Sequence, residues 1–314
     1  MIDQPLRILF LGTPAFAVPA LQGLLDHGER LVGVVTQPDR PKGRSRTPLA
    51  GPVKELALQA GLPVLQPTKI RTPEFQQQLT SLAPDLAVVV AYGRILPASL
   101  INLPRLGTIN VHGSILPLYR GAAPIQWAII RGETETGVTI MQMDEGLDTG
   151  AILHIEKLAI KEDDTAGSLA DKMAALGAGA LIRALDLLRA GRLQPRKQDD
   201  RQATLAPPLE KEAGQIEWRK SAAEIGCLIR GLDPWPGTAT SFAGKRLRLF
   251  RPHPVPVAPQ EEPGTIVRVD DEGLLIATGE GCLLVEEVQL EGGRRMKVAD
   301  FRRGHPVTAT TRLG

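Results

Sequence analysis

The sequence is poor in the features that mark export, metal binding or a membrane. It holds two cysteines in 314 residues, Cys227 and Cys282, with no CxxC and no Cys/His spacing. That pattern argues against a structural zinc site or a disulfide framework and fits a reducing compartment. Long apolar runs are missing from the N-terminus, where Ile8-Leu9-Phe10-Leu11 stops at Gly12-Thr13-Pro14. A secretory core needs roughly 7–15 apolar residues and a spanning helix about 20. The expectation is a soluble, cytoplasmic protein with no membrane partner. No sign of charge dominates: 37 basic and 35 acidic side chains leave +2, which excludes a histone-like polycation but not a local basic surface. Three fingerprints are absent as well. No GxGxxG follows the first apolar run, no GxxxxGK[ST] supports a nucleoside triphosphatase, and no GxSxG elbow exposes a nucleophilic serine. There is no internal repeat and no low-complexity tract.

What is present is ample core material. With 43% of residues apolar and a length beyond one ordinary core, two domains are expected. The first 190 residues alternate short apolar runs with helical periodicity. Strands are predicted at Arg7–Leu11, Leu31–Thr36, Pro63–Gln66, Leu86–Ala91, Thr108–His112 and Gly137–Met143. Helices are predicted at Ala15–His27, Pro52–Gln59, Glu74–Leu82 and Thr165–Arg189. Runs apolar at every position, such as Ala87-Val88-Val89-Val90, suit strands covered on both faces. The alternation predicts an α/β fold with an open, mainly parallel sheet that binds ligands beyond its strand C-termini. Residues 191–210, with Pro195, Pro207 and Pro208 among polar neighbours, read as a linker. Beyond it, a helix over Ala222–Gly231 precedes short β-like runs at Arg246–Phe250, Gly264–Val269, Leu274–Thr278 and Cys282–Gln289. Their turn spacing suggests a small, mostly antiparallel barrel or sandwich over 211–314.

Two motifs could carry chemistry. In Asn110-Val111-His112 the outer residues point to one face of a strand. Asn can donate to a developing oxyanion, and His can move a proton near neutrality; a hydrogen-bonded strand end is the plain alternative. Asp144-Glu145-Gly146-Leu147-Asp148-Thr149-Gly150 is an acidic turn in which Asp148 could orient or deprotonate an imidazole, and it lacks the register of an EF-hand. Ser114 beside His112 invites a hydrolase reading, set aside because the elbow is missing and the serine follows the histidine at one strand end. Basic residues gather at Arg40-Pro41-Lys42-Gly43-Arg44-Ser45-Arg46, at Lys245-Arg246-Leu247-Arg248 and at Arg294-Arg295-Met296-Lys297. Each is a solvated face or a phosphate-gripping one.

Taken together, several strings resemble one family. They are Thr36-Gln37-Pro38-Asp39-Arg40-Pro41, Val89-Val90-Ala91-Tyr92-Gly93, Asn110-Val111-His112-Gly113-Ser114-Ile115-Leu116-Pro117, Tyr119-Arg120-Gly121-Ala122-Ala123-Pro124, Gly146-Leu147-Asp148-Thr149-Gly150 and Pro234-Trp235-Pro236. In this order, over nearly the whole chain, the sequence is similar to the methionyl-tRNA formyltransferases. One departure is Ala151, where the family often has an acid.

The resemblance implies a Rossmann-like formyltransferase domain over 1–190 and an OB-like, tRNA-binding barrel over 211–314. It implies formyl transfer from 10-formyltetrahydrofolate to the α-amine of methionine on initiator tRNA, releasing tetrahydrofolate, by a monomer that needs no metal. By that likeness Asn110, His112 and Asp148 are catalytic, and Ser114, Ile115, Leu116 and Pro117 bind the folate. Arg40, Lys42 and Arg44 on a loop, with Lys245, Arg246 and Arg248 on the barrel, contact tRNA. An amino-sugar-nucleotide or glycinamide ribonucleotide formyltransferase would share Asn110, His112 and Asp148 without needing the basic loop. A catalytically silent RNA-binding protein on the same scaffold would bind tRNA and lose nothing in His112→Ala.

Overall fold

The computed structural model describes residues 4–41 and 48–314. Strand β1 (Arg7–Gly12) buries Ile8, Leu9, Phe10 and Leu11 together, as a strand sandwiched between layers must. The crossover after it is a 3-10 turn at Ala15–Ala17 followed by α1 (Val18–Asp26), not one helix from Ala15. Pro19 has no N–H to return to the Ala15 carbonyl, so the α-type ladder cannot extend that far back. After β2 (Arg30–Val35), a two-residue ribbon pairs β3 (Arg40–Pro41) with β4 (Pro48–Leu49). The chain continues through α2 (Pro52–Gln59), β5 (Val64–Leu65), α3 (Pro73–Ser81), β6 (Leu86–Val90), α4 (Ala98–Ile101) and β7 (Thr108–His112). Next come β8 (Arg120–Gly121), α5 (Pro124–Ile130), β9 (Glu135–Gln142), β10 (Ile152–Ala159), α6 (Ala166–Arg189) and β11 (Leu205–Ala206).

The main sheet has the order β10-β9-β7-β6-β1-β2-β5. The β5–β2, β2–β1, β1–β6 and β6–β7 pairs are parallel and β9 runs antiparallel to β7. Strand order therefore reverses beside β1, and the crossovers leave the ends of β1, β6 and β7 on a common edge. Helix α6 approaches one face closely: a Cβ on Gly177 would stand 2.9 Å from Val111 Cγ1. Val111 thus faces α6, while Asn110 and His112 face the other side of the sheet. The edge strand β10 is absent from the sequence expectations. Its burial fades along its length, and His154, Glu156 and Lys157 mask its apolar pattern.

The described chain forms two compact units. One holds the chain through Gly121 together with Thr136–Leu158 and Ala170–Ala206; the other holds Ala122–Glu135, Ala159–Leu169 and Pro207–Gly314. In the second unit, α7 (Ala222–Gly231) starts with a capping box in which Ser221 and Glu224 satisfy each other's backbone N–H. Strands β12 (Thr240–Phe242), β13 (Lys245–Val255), β14 (Ile266–Val269), β15 (Leu274–Ala277) and β16 (Cys282–Leu290) make a single curled sheet. The β12–β13, β13–β16, β16–β15 and β15–β14 pairs are all antiparallel. The barrel side of the sequence alternative is the one realised, as a half-barrel around Ile229, Leu247, Leu249, Ile276, Leu283 and Val285. Helix α5 packs on α7, where Gly231 permits the approach: a Cβ there would lie 2.5 Å from Ile130 Cγ1.

Candidate active site

Strand β7 presents Thr108, Asn110 and His112 on one face. The lowest of these is purely structural, its hydroxyl donating to the Ile101 carbonyl at 2.7 Å. Asn110 is half-buried and His112 is buried. The His112 ring is held at one end, with Nε2 3.0 Å from the Tyr119 carbonyl oxygen. A carbonyl only accepts, so the neutral ring carries its hydrogen on Nε2 and leaves Nδ1 to gain or lose a proton. Nδ1 faces Asp148 Oδ2 at 3.6 Å. That is beyond hydrogen-bond range, so the carboxylate acts on the ring through charge without locking the nitrogen.

Asp148 reaches this position by a strained route. Its φ is +54°, a left-handed conformation that costs a non-glycine residue about 1–3 kcal/mol unless its surroundings impose it. The surroundings do. Its Oδ2 accepts the Gly121 N–H at 2.8 Å, and its own carbonyl accepts the Gln198 side-chain amide at 2.8 Å. On the other side of the loop, Asp144 Oδ1 accepts from the Gly146 N–H and the Thr149 hydroxyl. Gly150 lies so near β9 that a Cβ would come within 1.7 Å of the Gln142 carbonyl oxygen.

The residues after His112 are fastened internally. Ser114 and Leu116 are buried, Ile115 and Pro117 half-buried. The Ser114 hydroxyl donates to the Leu118 carbonyl, its own carbonyl accepts from Thr139 Oγ1 at 2.7 Å, and the Leu116 N–H donates to that same threonine hydroxyl at 3.1 Å. Leu116 packs against Met141 and Ile152. Exposed apolar side chains lie on the neighbouring loops: Ile95 after β6, Leu118 after β7 and Leu147 beside Asp148. Large apolar groups left in water on these loops are surface that a bound ligand could cover.

A second network roots the β3–β4 ribbon. Lys54 Nζ donates to Asp39 Oδ2 at 2.6 Å and to Gln66 Oε1 at 2.7 Å, and Gln66 Nε2 donates to Asp39 Oδ1 at 2.7 Å. The Lys54 bond, followed by the Gln66 bond, holds the Asp39 carboxyl below its ordinary value. Gln37 Nε2 ties the same corner to the Tyr92 carbonyl at 2.9 Å. Arg40 stands exposed on β3, while Lys42 and Arg44 lie outside the described residues. In the second unit Lys245 and Arg246 are exposed at the start of β13, and Arg248 Nη2 donates to the Pro236 carbonyl at 3.3 Å. Among the described residues no group of His, Cys, Asp and Glu is arranged to hold a metal ion, and no helix is long and apolar enough to cross a membrane.

The structure thus brings Asn110, His112 and Asp148 into one site. Sequence reasoning missed Gln198 and Thr204, both inside the stretch read as linker. Thr204 Oγ1 accepts the Tyr119 N–H at 2.8 Å. Tyr119-Arg120-Gly121 belongs to the strings that carry the family resemblance, but no spacing signal ties it to residues some eighty positions on.

The fold, with an Asn-x-His strand end beside an aspartate on the loop after the neighbouring strand of a mainly parallel sheet, is that of the formyl transferases. The chain belongs to that family: residues 6–185 match the formyl transferase family and 208–306 its C-terminal domain. Within it, the chain is a member of the methionyl-tRNA formyltransferase family. It is 53% identical to the methionyl-tRNA formyltransferase of Desulfotalea psychrophila over 99% of this chain and 96% of that protein. Its identity to the Geobacter sulfurreducens methionyl-tRNA formyltransferase is 50% over 98% and 97%. Two solved structures share the fold at low identity. One is an N-formyltransferase of Helicobacter canadensis in complex with folinic acid and dTDP-3-aminofucose (TM-score 0.67, 17% identity, 94% of this chain and 100% of that one). The other is HypX of Aquifex aeolicus in complex with tetrahydrofolic acid (TM-score 0.65, 18% identity, 95% and 47%).

Proposed function

We propose that this protein formylates the α-amine of methionine on initiator methionyl-tRNA, taking the formyl group from 10-formyltetrahydrofolate. The observation that carries the reading is the braced His112–Asp148 pair on the face of Asn110, in a chain about half identical to the methionyl-tRNA formyltransferases. The folate, when bound, supplies an activated formyl carbon. Asn110 offers a side-chain N–H to the oxygen on which negative charge develops. His112 works through Nδ1, because Nε2 is committed to Tyr119. It accepts the proton of the attacking amine as the new N–C bond forms and returns it to N10 of the folate as the C–N10 bond breaks and tetrahydrofolate leaves, while Asp148 balances the charge that resides on the ring in between.

The donor is proposed to lie along Ser114–Pro117, against Ile115 and the exposed apolar loop residues. Ser114 and Leu116 serve there as the fixed floor, since their side chains are already engaged. Catalysis is assigned to residues 1–190 and tRNA binding to 211–314, joined through 191–210, in a cytoplasmic monomer. Arg40 on the ribbon, Lys42 and Arg44 in the sequence that follows it, and Lys245, Arg246 and Arg248 make phosphate contacts that supply affinity, while the reacting end is chosen by shape.

The test is formylation of methionyl-tRNA by the wild type and by His112→Ala. The wild type makes formyl-methionyl-tRNA, and His112→Ala loses about 100- to 10,000-fold in kcat. Wild-type transfer to an amino-sugar nucleotide or glycinamide ribonucleotide instead, with none to tRNA, sinks the reading.

A further inference from the structure

The segment between α6 and the second unit does more than connect. Ile152 and Arg196 exchange both backbone hydrogen bonds at 2.8 Å, which brings the segment alongside β10. Gln198, buried to 5% exposure, then uses every group of its side chain. Its Nε2 donates to the carbonyls of Asp148 and Gly150 at 2.8 and 2.7 Å. Its Oε1 accepts from Arg120 Nε at 3.1 Å and Nη2 at 2.8 Å. The amide orientation is unambiguous, since carbonyls need the donor and a guanidinium needs the acceptor. Arg120 is itself buried and reaches Asp200 Oδ1 at 2.7 Å. Farther along, Thr204 Oγ1 holds the Tyr119 N–H, and β11 pairs in parallel with β8 over Arg120 and Gly121.

The contacts at Tyr119, Gly121 and Asp148 end on groups that orient the reactive pair. Tyr119 supplies the carbonyl that fixes the His112 ring, Gly121 supplies the N–H on the Asp148 carboxylate, and Gln198 holds the Asp148 backbone. Asp148 at φ +54° and Tyr119 at φ +60° are both non-glycine residues in the left-handed region. Both are gripped from the same segment. Two strained residues held by one strap imply that the strap sets their geometry.

We propose that Gln198 is a positioning residue for formyl transfer, and that residues 196–206, with Thr204 as second anchor, hold Asp148 against His112 Nδ1. The proposal rests on the roles given to His112 and Asp148 above. Gln198 touches no reacting atom. Without it the Asp148–Gly150 turn relaxes, the carboxylate leaves the ring, and the proton-accepting nitrogen loses its counter-charge. A displacement of one ångström at such a site costs about 100-fold at the extreme.

The experiment measures kcat, and KM for methionyl-tRNA, across pH for wild type, Gln198→Ala, Gln198→Glu and Thr204→Val. Gln198→Ala is expected to lower kcat about 10- to 100-fold, with KM changed by less than about threefold. The limb of its kcat–pH profile shifts as well. Gln198→Glu keeps the length and the Arg120 pairing but cannot donate to either carbonyl, and so fails to restore kcat. Thr204→Val gives a smaller loss in the same direction. Retention of kcat and of the pH limb in Gln198→Ala overturns the proposal, however far its unfolding temperature falls. If Gln198→Ala does not fold, an unchanged kcat in Thr204→Val overturns it. A wild type inactive on methionyl-tRNA refutes the functional reading rather than the strap. The strap is then read from the 15N shift of His112 Nδ1, which Gln198→Ala must move.

Discussion

At the residue scale, the site depends on which nitrogen and which oxygen are already spoken for. Asn110 comes to its face by strand alternation alone, and its proposed task is to donate one hydrogen bond to developing charge. Asn110→Ala is expected to lower kcat about 100- to 1,000-fold with little change in KM, measured in the same formylation assay. Tyr92 offers a contrasting case. Its hydroxyl is buried with no partner among the described residues, and burial pushes its pKa above 10.0. Tyr92→Phe removes a desolvated group and sacrifices no bond seen in the structure, so its unfolding temperature equals or exceeds that of the wild type. Because the folded pKa is raised, wild-type stability does not depend on this group's ionisation below about pH 10 and falls as pH rises from there through the higher folded value. The stability difference between wild type and Tyr92→Phe is therefore constant below about pH 10 and moves further in favour of Tyr92→Phe above it, as alkaline denaturation of the two will show.

At the scale of elements, alternation and caps made most of the scaffold legible. The runs at Arg7–Leu11 and Leu86–Ala91 read directly as buried strands, and Ala222–Gly231 is a helix to the residue because Ser221 and Glu224 form a local capping box. The failures share a cause. Strand β10 exists because β9 offers it an edge, and residues 196–206 keep their path because their partners lie in the distant Tyr119–Gly121 and Asp148–Gly150 segments. No local period encodes such pairings. Gly150 connects the two levels, being legible as a turn glycine yet required for its closeness to Gln142. Gly150→Ala is expected to displace the Asp148 loop and to lose activity about as severely as a substitution at Asp148 itself. Formylation assays on the two variants, side by side, check this. Full activity in Gly150→Ala would show that the turn has slack that the 1.7 Å approach denies.

At the scale of the molecule, charge is nearly balanced, so any attraction for RNA comes from local clusters rather than from the net +2. Binding of methionyl-tRNA through the proposed cations would weaken with salt. Removing one cation from a phosphate lowers the log–log salt slope by roughly 0.7–0.9. The double variant Lys245→Ala/Arg246→Ala is expected to raise KM for methionyl-tRNA and reduce that slope by about 1.4–1.8, leaving kcat at saturation within about twofold. An unchanged slope would remove these two side chains from the RNA interface. Arg248 is expected to contribute less, since its guanidinium is already engaged with Pro236.

The sequence by itself determined the α/β character of the first unit, the sheet-rich second one and the pairing of Asn110 with His112 on one face. Those outcomes follow from alternation, helical period and turn chemistry, which act between near neighbours. Its motifs, taken in order, also carried the family. Only the tertiary structure decided that the His112 ring turns Nδ1 toward Asp148, that Asp148 is held in a left-handed conformation, and that a stretch read as a linker hydrogen-bonds to Tyr119 and to the Asp148 backbone. The ring is set by a hydrogen bond across seven residues, and Asp148 and the strap by bonds between residues 27 to 85 positions apart. A backbone carbonyl such as that of Tyr119 has no signature in the sequence until folding brings a ring nitrogen to it.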